Sequence, residues 1–215
     1  MKLWDFEAAR CTVTFTEHAQ AVWGVAFHEG GAFLASCSLD HSIKLWDLGS
    51  NRCRQTFRGH VDSVNGVVWQ PGSYALATAS SDKTVSLWDA RSGLCVQTFY
   101  GHANSCNKVA FNPAGTIVAS TDADGAVKLW DVRMVAEVAS VSVGPHPAND
   151  AAFDRTGKLL AIACDDGRAA IYSLPERELV AELAGHDGAV QGVAFDARGK
   201  YLVSAGSDKT FRYWS

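Results

Sequence analysis

Six cysteines are present, but no two stand in C-x-x-C spacing, so the thiol pairs of zinc ribbons and dithiol redox motifs are missing. An excess of positive charge is missing too. Nineteen Lys and Arg against 23 Asp and Glu leave a net charge of −4, which excludes a generic affinity for nucleic acid or anionic lipid. No apolar run approaches the ~20 residues that a membrane-spanning helix requires. The opening Met1-Lys2-Leu3-Trp4-Asp5 lacks the apolar core of a secretory signal. Reduced thiols at Cys11, Cys37, Cys53, Cys95, Cys106 and Cys164, in a cytoplasmic setting, are the simplest expectation. Phosphate-binding glycine loops are absent as well, and no nucleophile stands alone beside a base. The expectation is therefore no enzymatic chemistry, no cofactor and no small-molecule substrate.

Tryptophan and glycine are plentiful, at seven and nineteen, which points to tight turns around a β-rich core. Laid on itself, the sequence repeats. Trp4, Trp46, Trp88, Trp130, Tyr172 and Trp214 recur every 42 residues, as do Asp40, Asp82, Asp124, Asp166 and Asp208. His18, His60, His102 and His186 keep the same interval, with Gly144 where a fifth histidine would stand, and Phe15, Phe57, Phe99, Val141 and Leu183 form a further series. Each unit reads as four short strands. In the second full unit these are Ser63–Trp69, Tyr74–Ala79, Val85–Asp89 and Cys95–Phe99, separated by turns at Pro71-Gly72-Ser73, Asp82-Lys83 and Arg91-Ser92-Gly93. Many short strands at an even spacing of about 40–45 residues indicate an all-β propeller.

The pairs Gly59-His60 and Gly101-His102, with Trp-Asp at Trp4-Asp5, Trp46-Asp47, Trp88-Asp89 and Trp130-Asp131, resemble the WD repeat over the whole chain. The resemblance implies a WD-repeat β-propeller of five four-stranded units. The expected segments are a partial blade over 1–15, full blades over 16–57, 58–99, 100–141 and 142–183, and a last blade over 184–215 without its outer strand. Such propellers usually have seven blades, which at this interval need about 290 residues. The chain is therefore expected to be the C-terminal part of a longer propeller, and whether its units close or stay open is undecided by sequence.

The resemblance also implies a hydrogen-bonded tetrad per blade, running from indole to hydroxyl to imidazole to carboxylate. The sets expected are His18, Ser36, Asp40 and Trp46; His60, Thr78, Asp82 and Trp88; His102, Ser120, Asp124 and Trp130; and His186, Ser204, Asp208 and Trp214. Ser, His and Asp together also invite a hydrolase reading. A catalytic triad is unique and open to a cleft, however, whereas this set recurs four times and ties its hydroxyl to a buried indole. Histidines placed one per blade stand too far apart to share a metal ion. The fourth unit departs from the pattern, since Gly144, Ile162 and Tyr172 replace His, hydroxyl and Trp, and it is expected to be the least stable.

The same resemblance implies partner contacts at the fifth residue after the His position and at the residue before the turn Asp. Here the first row is Trp23, Asn65, Asn107, Asn149 and Gln191, and the second is Leu39, Ser81, Ala123, Asp165 and Ser207. Trp23 is the strongest anchor candidate; the alternative for the asparagines is that they only satisfy backbone groups.

Ser80–His102, Gly144–Asn149 and Arg212-Tyr213-Trp214-Ser215 resemble the C-terminal propeller of the sperm-associated-antigen WD-repeat family, whose algal counterparts form the paralysed-flagella group. That resemblance implies a non-catalytic scaffold in the central-pair apparatus of motile cilia and flagella. Its partners would be axonemal central-pair proteins, with tubulin reached through them rather than by charge. The alternative is a substrate receptor of a cullin-type ubiquitin ligase, because Trp88-Asp89-Ala90-Arg91 and Trp130-Asp131-Val132-Arg133 match the W-D-x-R pattern of such receptors.

Overall fold

Short runs of β-branched and aromatic residues, each closed by a turn-former, leave little room for anything but antiparallel neighbours joined by tight turns. The computed structural model describes residues 1–215, and every regular element in it is a β-strand. The first sheet has two strands, β1 (Lys2–Asp5) and β2 (Arg10–Thr14). Four four-stranded sheets follow. These are β3 (Val22–Phe27), β4 (Phe33–Ser38), β5 (Ile43–Asp47) and β6 (Arg52–Phe57); β7 (Val64–Trp69), β8 (Ala75–Ser80), β9 (Thr84–Asp89) and β10 (Leu94–Tyr100); β11 (Cys106–Phe111), β12 (Ile117–Asp122), β13 (Ala126–Asp131) and β14 (Ala136–Ser142); and β15 (Ala148–Phe153), β16 (Leu159–Cys164), β17 (Arg168–Ser173) and β18 (Glu178–Ala184). The last sheet has three strands, β19 (Val190–Phe195), β20 (Leu202–Gly206) and β21 (Phe211–Trp214). Each sheet is a simple antiparallel meander.

The turn between the second and third strands carries a left-handed residue at one position per unit: His41, Lys83, Gly125, Gly167 and Lys209. Gly125 is fixed by space as well as by φ, because a Cβ there would run into the carbonyl oxygens of Gly144 and His146.

The innermost strands pack in the order β3, β7, β11, β15, β19, so the sheets stack as successive blades. Apolar residues from facing blades fill each seam. Ala35, Cys37, Ile43 and Leu45 of one blade meet Val64, Val67, Leu76 and Trp88 of the next, and all eight are buried. The outer-strand phenylalanines cross these seams, Phe57 lying 5.9 Å from the Trp88 ring and Phe99 5.2 Å from Trp130. The β1–β2 hairpin covers the outer half of the first blade through Met1, Leu3, Val13 and Phe15, which pack on Leu34 and Trp46.

The two ends of the stack carry open faces. Val25 is 53% exposed, whereas its counterparts Val67, Val109, Ala151 and Val193 are buried. At the other end Phe211 is 76% exposed, where Ile43, Val85, Val127 and Ala169 are buried.

Candidate functional site

In three of the four expected tetrads the named residues meet as a chain. His18 Nδ1 lies 2.8 Å from Asp40, its Nε2 2.8 Å from Ser36 Oγ, and Trp46 Nε1 donates to the same oxygen at 2.8 Å. His60, Thr78, Asp82 and Trp88 repeat this at 2.7–2.8 Å, and His186, Ser204, Asp208 and Trp214 at 2.8–2.9 Å. The proton directions follow from chemistry. A carboxylate only accepts, so Nδ1 carries the proton, Nε2 accepts from the hydroxyl, and the hydroxyl oxygen accepts from indole.

The third tetrad corrects the expectation. His102 Nδ1 pairs with Asp122 at 2.7 Å, while Asp124 accepts only from the Asn104 amide, at 2.9 Å. The other two bonds, His102–Ser120 and Trp130–Ser120, form as expected at 2.6 and 2.8 Å. The reason lies two residues downstream. Asp40, Asp82 and Asp208 each accept from a turn hydroxyl on Ser42, Thr84 or Thr210. Ala126 stands there in the third unit and offers none, and the fully buried Asp122 takes over the imidazole.

The fourth unit replaces the tetrad with two other devices. Arg168 stands in register with Ser42 and Thr84 and pairs with Asp166 at 2.6 Å and Glu182 at 2.7 Å. Ile162 and Tyr172 join an eleven-residue apolar cluster shared with the third blade. Of the tetrad positions only Asp166 keeps a side-chain polar role, pairing with Arg168.

Electrostatics follow the same division. Burial alone pushes the Asp40 and Asp82 carboxyls up, but the hydrogen bonds from their hydroxyl, imidazole and backbone donors outweigh it and hold both well below the ordinary value. Asp208 is held down in the same way. His102 is lowered, because desolvation outweighs the pull of Asp122. Burial raises the thiols, Cys37 to about 12 and Cys164 to about 11, which makes them unreactive packing groups.

A family model described as WD domain, G-beta repeat matches residues 9–47, 51–89, 93–131 and 177–215. The chain belongs to the WD-repeat family. Each matched stretch begins at the outermost strand of one sheet and ends at or just after the third strand of the next, so the WD repeat in sequence straddles two blades. The stretch between Asp131 and Arg177, which holds the first three strands of the tetrad-less blade, lies outside the matches. No curated protein matches the chain. WD-repeat proteins are typically non-catalytic and serve as protein-interaction scaffolds, and the tetrads here are internal braces rather than reactive groups.

Trp23, Asn65, Asn107, Asn149 and Gln191 share one geometric origin. In every innermost strand the ladder skips a residue, between Val22 and Gly24, Val64 and Gly66, Cys106 and Lys108, Ala148 and Asp150, and Val190 and Gly192. The skipped residue is the extra residue of a β-bulge, which re-aims its side chain out of the alternation. All five line one open depression of about 400 Å³, joined by Lys108. Three of them are already engaged. Asn65 donates to Cys106 O at 2.8 Å, Asn107 to Ala148 O at 3.0 Å, and Asn149 to Val190 O at 2.9 Å. These amides tie each innermost strand to the next. Trp23, 56% exposed, and the exposed Gln191 make no such bond.

In the second row, Ser81 accepts from Asn65 and from Ser105, Asp165 accepts from Asn149 at 3.2 Å, and Ser207 donates to Ala189 O. Leu39 is exposed. Sequence reasoning missed Asp150, whose carboxyl is raised by burial and lies 3.9 Å from Lys108, and which accepts from Val193 N–H. Its signal was a lone acid where other units have Gly24, Gly66 and Gly192 at the same register or Lys108.

Proposed function

We propose that this chain is a non-catalytic scaffold that captures a protein partner in the bulge-lined depression, with Trp23 as the anchor. The observation that carries this reading is the exposed indole of Trp23 at the register where the neighbouring blades use asparagine to tie strands together. Trp23 has no stapling role there, and aromatic anchors dominate interface energetics. Gln191, Lys108, Leu39 and Ser207 would supply the polar and apolar rim, and Asn65, Ser81, Asn107, Asn149 and Asp165 a stiff floor.

The setting we propose is the central-pair apparatus of motile cilia and flagella, with axonemal proteins as partners. The support is the likeness of Ser80–His102, Gly144–Asn149 and Arg212–Ser215 to that family's propeller. The test is to express a tagged chain in motile ciliated cells and extract them with non-ionic detergent. Retention on the axoneme, reduced by Trp23→Ala, is the expected result. Complete release into the detergent extract overturns the ciliary reading, and wild-type retention by Trp23→Ala overturns the anchor.

The second reading, a cullin-ligase receptor, is favoured by Arg91 and Arg133. Their backbone N–H groups are held by Asp89 and Asp131 at 3.0 and 2.8 Å, while Arg168 is the one arginine in an ion pair, which leaves both guanidiniums outside any salt bridge. Co-precipitation with the ligase adaptor, lost in Arg91→Glu/Arg133→Glu, is its test.

A further inference from the structure

The repeat also shows where the chain departs from itself. At the seam between the first two full blades, three residues that each differ from their counterparts in the other units converge. Tyr74 stands where the other units have Ala32, Thr116, Lys158 and Lys200, and Trp69 where they have phenylalanine. Arg54 stands where they have Thr12, Val96, Val138 and Val180, and it is the extra residue of a bulge, between Cys53 and Gln55. The sibling blades form without these changes, of which only Trp69 also braces the seam, donating its Nε1–H to Ala26 O at 2.9 Å.

Together they line a groove of about 440 Å³, floored by Phe33, Leu45, Trp69 and Tyr74 with Arg54 and Arg91 at its edges. The volume is that of a site for one or two side chains. Arg91 lies 4.3 Å over the Tyr74 ring and Arg54 5.2 Å over Phe33. Stacking of this kind holds a guanidinium in place and leaves its N–H edge outward. Neither arginine is in an ion pair. Asp47 and Asp89 feel the charge of Arg54 and Arg91 from beyond ion-pair distance, and they accept the turn N–H groups of Gly49, Ser50, Arg91 and Ser92.

Behind the floor, the buried His28 stacks on Tyr74 at 4.7 Å and meets Trp69 edge-on at 4.8 Å. Its Nδ1 accepts from Gly30 N–H, so Nε2 carries a proton, and that buried donor has no partner.

We propose that this groove is a second docking site, distinct from the Trp23 depression, for a short acidic peptide segment of a partner protein. A bulky apolar side chain would lie on the Phe33–Trp69–Tyr74 floor while flanking carboxylates engage Arg54 and Arg91. Charge complementarity selects the occupant. Two guanidiniums stacked on the aromatic floor, each within the field of one turn carboxylate but with none at ion-pair distance, keep N–H donors that fit carboxylates. The inference does not depend on the ciliary setting or on the Trp23 site.

The probe is a fluorescein-labelled peptide, Gly-Asp-Glu-Phe-Glu-Asp-Gly, titrated by anisotropy against the intact chain. Saturable binding that weakens with added salt is expected. Two control peptides, one with Ser for Phe and one with Asn and Gln for the acids, should each bind about tenfold more weakly or worse. Arg54→Val, which copies the sibling blades, combined with Arg91→Ala, should also weaken binding about tenfold. Tyr74→Thr, which copies the third blade, should do the same, with circular dichroism confirming an intact fold. Arg133→Ala and Trp23→Ala should bind like wild type. Absence of saturable binding, or retention of it in the Arg54/Arg91 variant, overturns the proposal. An equal loss in Arg133→Ala overturns it too, because binding would then be diffuse attraction.

Discussion

His102 donates its Nδ1 proton to Asp122, 2.7 Å away, and the residue two positions on, Asp124, which keeps the repeat interval, is left on the surface side of the turn. Asp122 also accepts the backbone N–H groups of Asp124 and Ala126 at 3.0 and 2.8 Å, so it organises the turn as well as the imidazole. Asp122→Ala strands three donors, of which the imidazole N–H is buried. It should cost about 3 kcal/mol. Asp124→Ala removes one exposed bond and should cost no more than about 0.5 kcal/mol. Urea unfolding midpoints of the two variants at neutral pH check the assignment, and equal losses would contradict it.

Acid should weaken the fold in two separate steps. His102 is lowered in the folded state from 6.5, so below that value the unfolded chain binds the proton more readily. Its contribution is therefore present above pH ~6.5 and fades as the pH falls. Asp40, Asp82 and Asp208 are also lowered, from 3.8, so their contribution is present above that value and is lost progressively as the pH falls below it towards their lowered folded values. The urea midpoint should drift down from pH 7 to 5 and then fall steeply below about pH 4. His102→Asn should flatten the first step and leave the second. A midpoint that rises on acidification would contradict both assignments.

In the second full unit the strands begin at Val64, Ala75, Thr84 and Leu94, each within one residue of the position read from turn-formers and β-branched runs. Strand period and turn chemistry are local properties, so a linear sequence carries them. The bulges were not visible. Asn65 looked like one polar residue interrupting an apolar strand, and nothing local says that the ladder skips it or that its amide reaches Cys106 O across a seam. The Asp122 substitution was half visible. Ala126 in place of Ser42 and Thr84 signals that the usual turn acid has lost its hydroxyl donor, but choosing between two acids two residues apart requires the imidazole's position in space. The groove at Phe33, Trp69 and Tyr74 could not be read at all, because its walls come from two blades and its arginines from the bulge of β6 and the turn after β9.

One turn stores removable strain. The left-handed residue before the outer strand is Gly93 in one unit and Val135, with φ 53°, in the next. A β-branched residue at positive φ costs about 1–2 kcal/mol, part of which glycine gives back through the unfolded chain. Val135→Gly should therefore raise stability by about 0.5–1 kcal/mol, seen as a higher thermal midpoint. Val135 is partly exposed, so little packing is lost in exchange. A lower midpoint would mean that its side chain contributes more than its backbone costs.

The open faces at the two ends make a sharper comparison, because one repeat position can be tested with and without a neighbour. Val127 and Phe211 occupy the same register on the third strands of their blades. Val127 is completely buried against the fourth blade, while Phe211 is 76% exposed. Truncating Val127 to Ala removes buried methyls and leaves a void in a close-packed seam, at about 1–2 kcal/mol. Phe211→Ala removes far more apolar surface, but surface already in contact with water, so the change should stay within about 0.5 kcal/mol. If stability came from strand composition, the larger truncation would cost more. If it comes from blade-to-blade burial, the order inverts, and paired urea melts of the two variants decide between them.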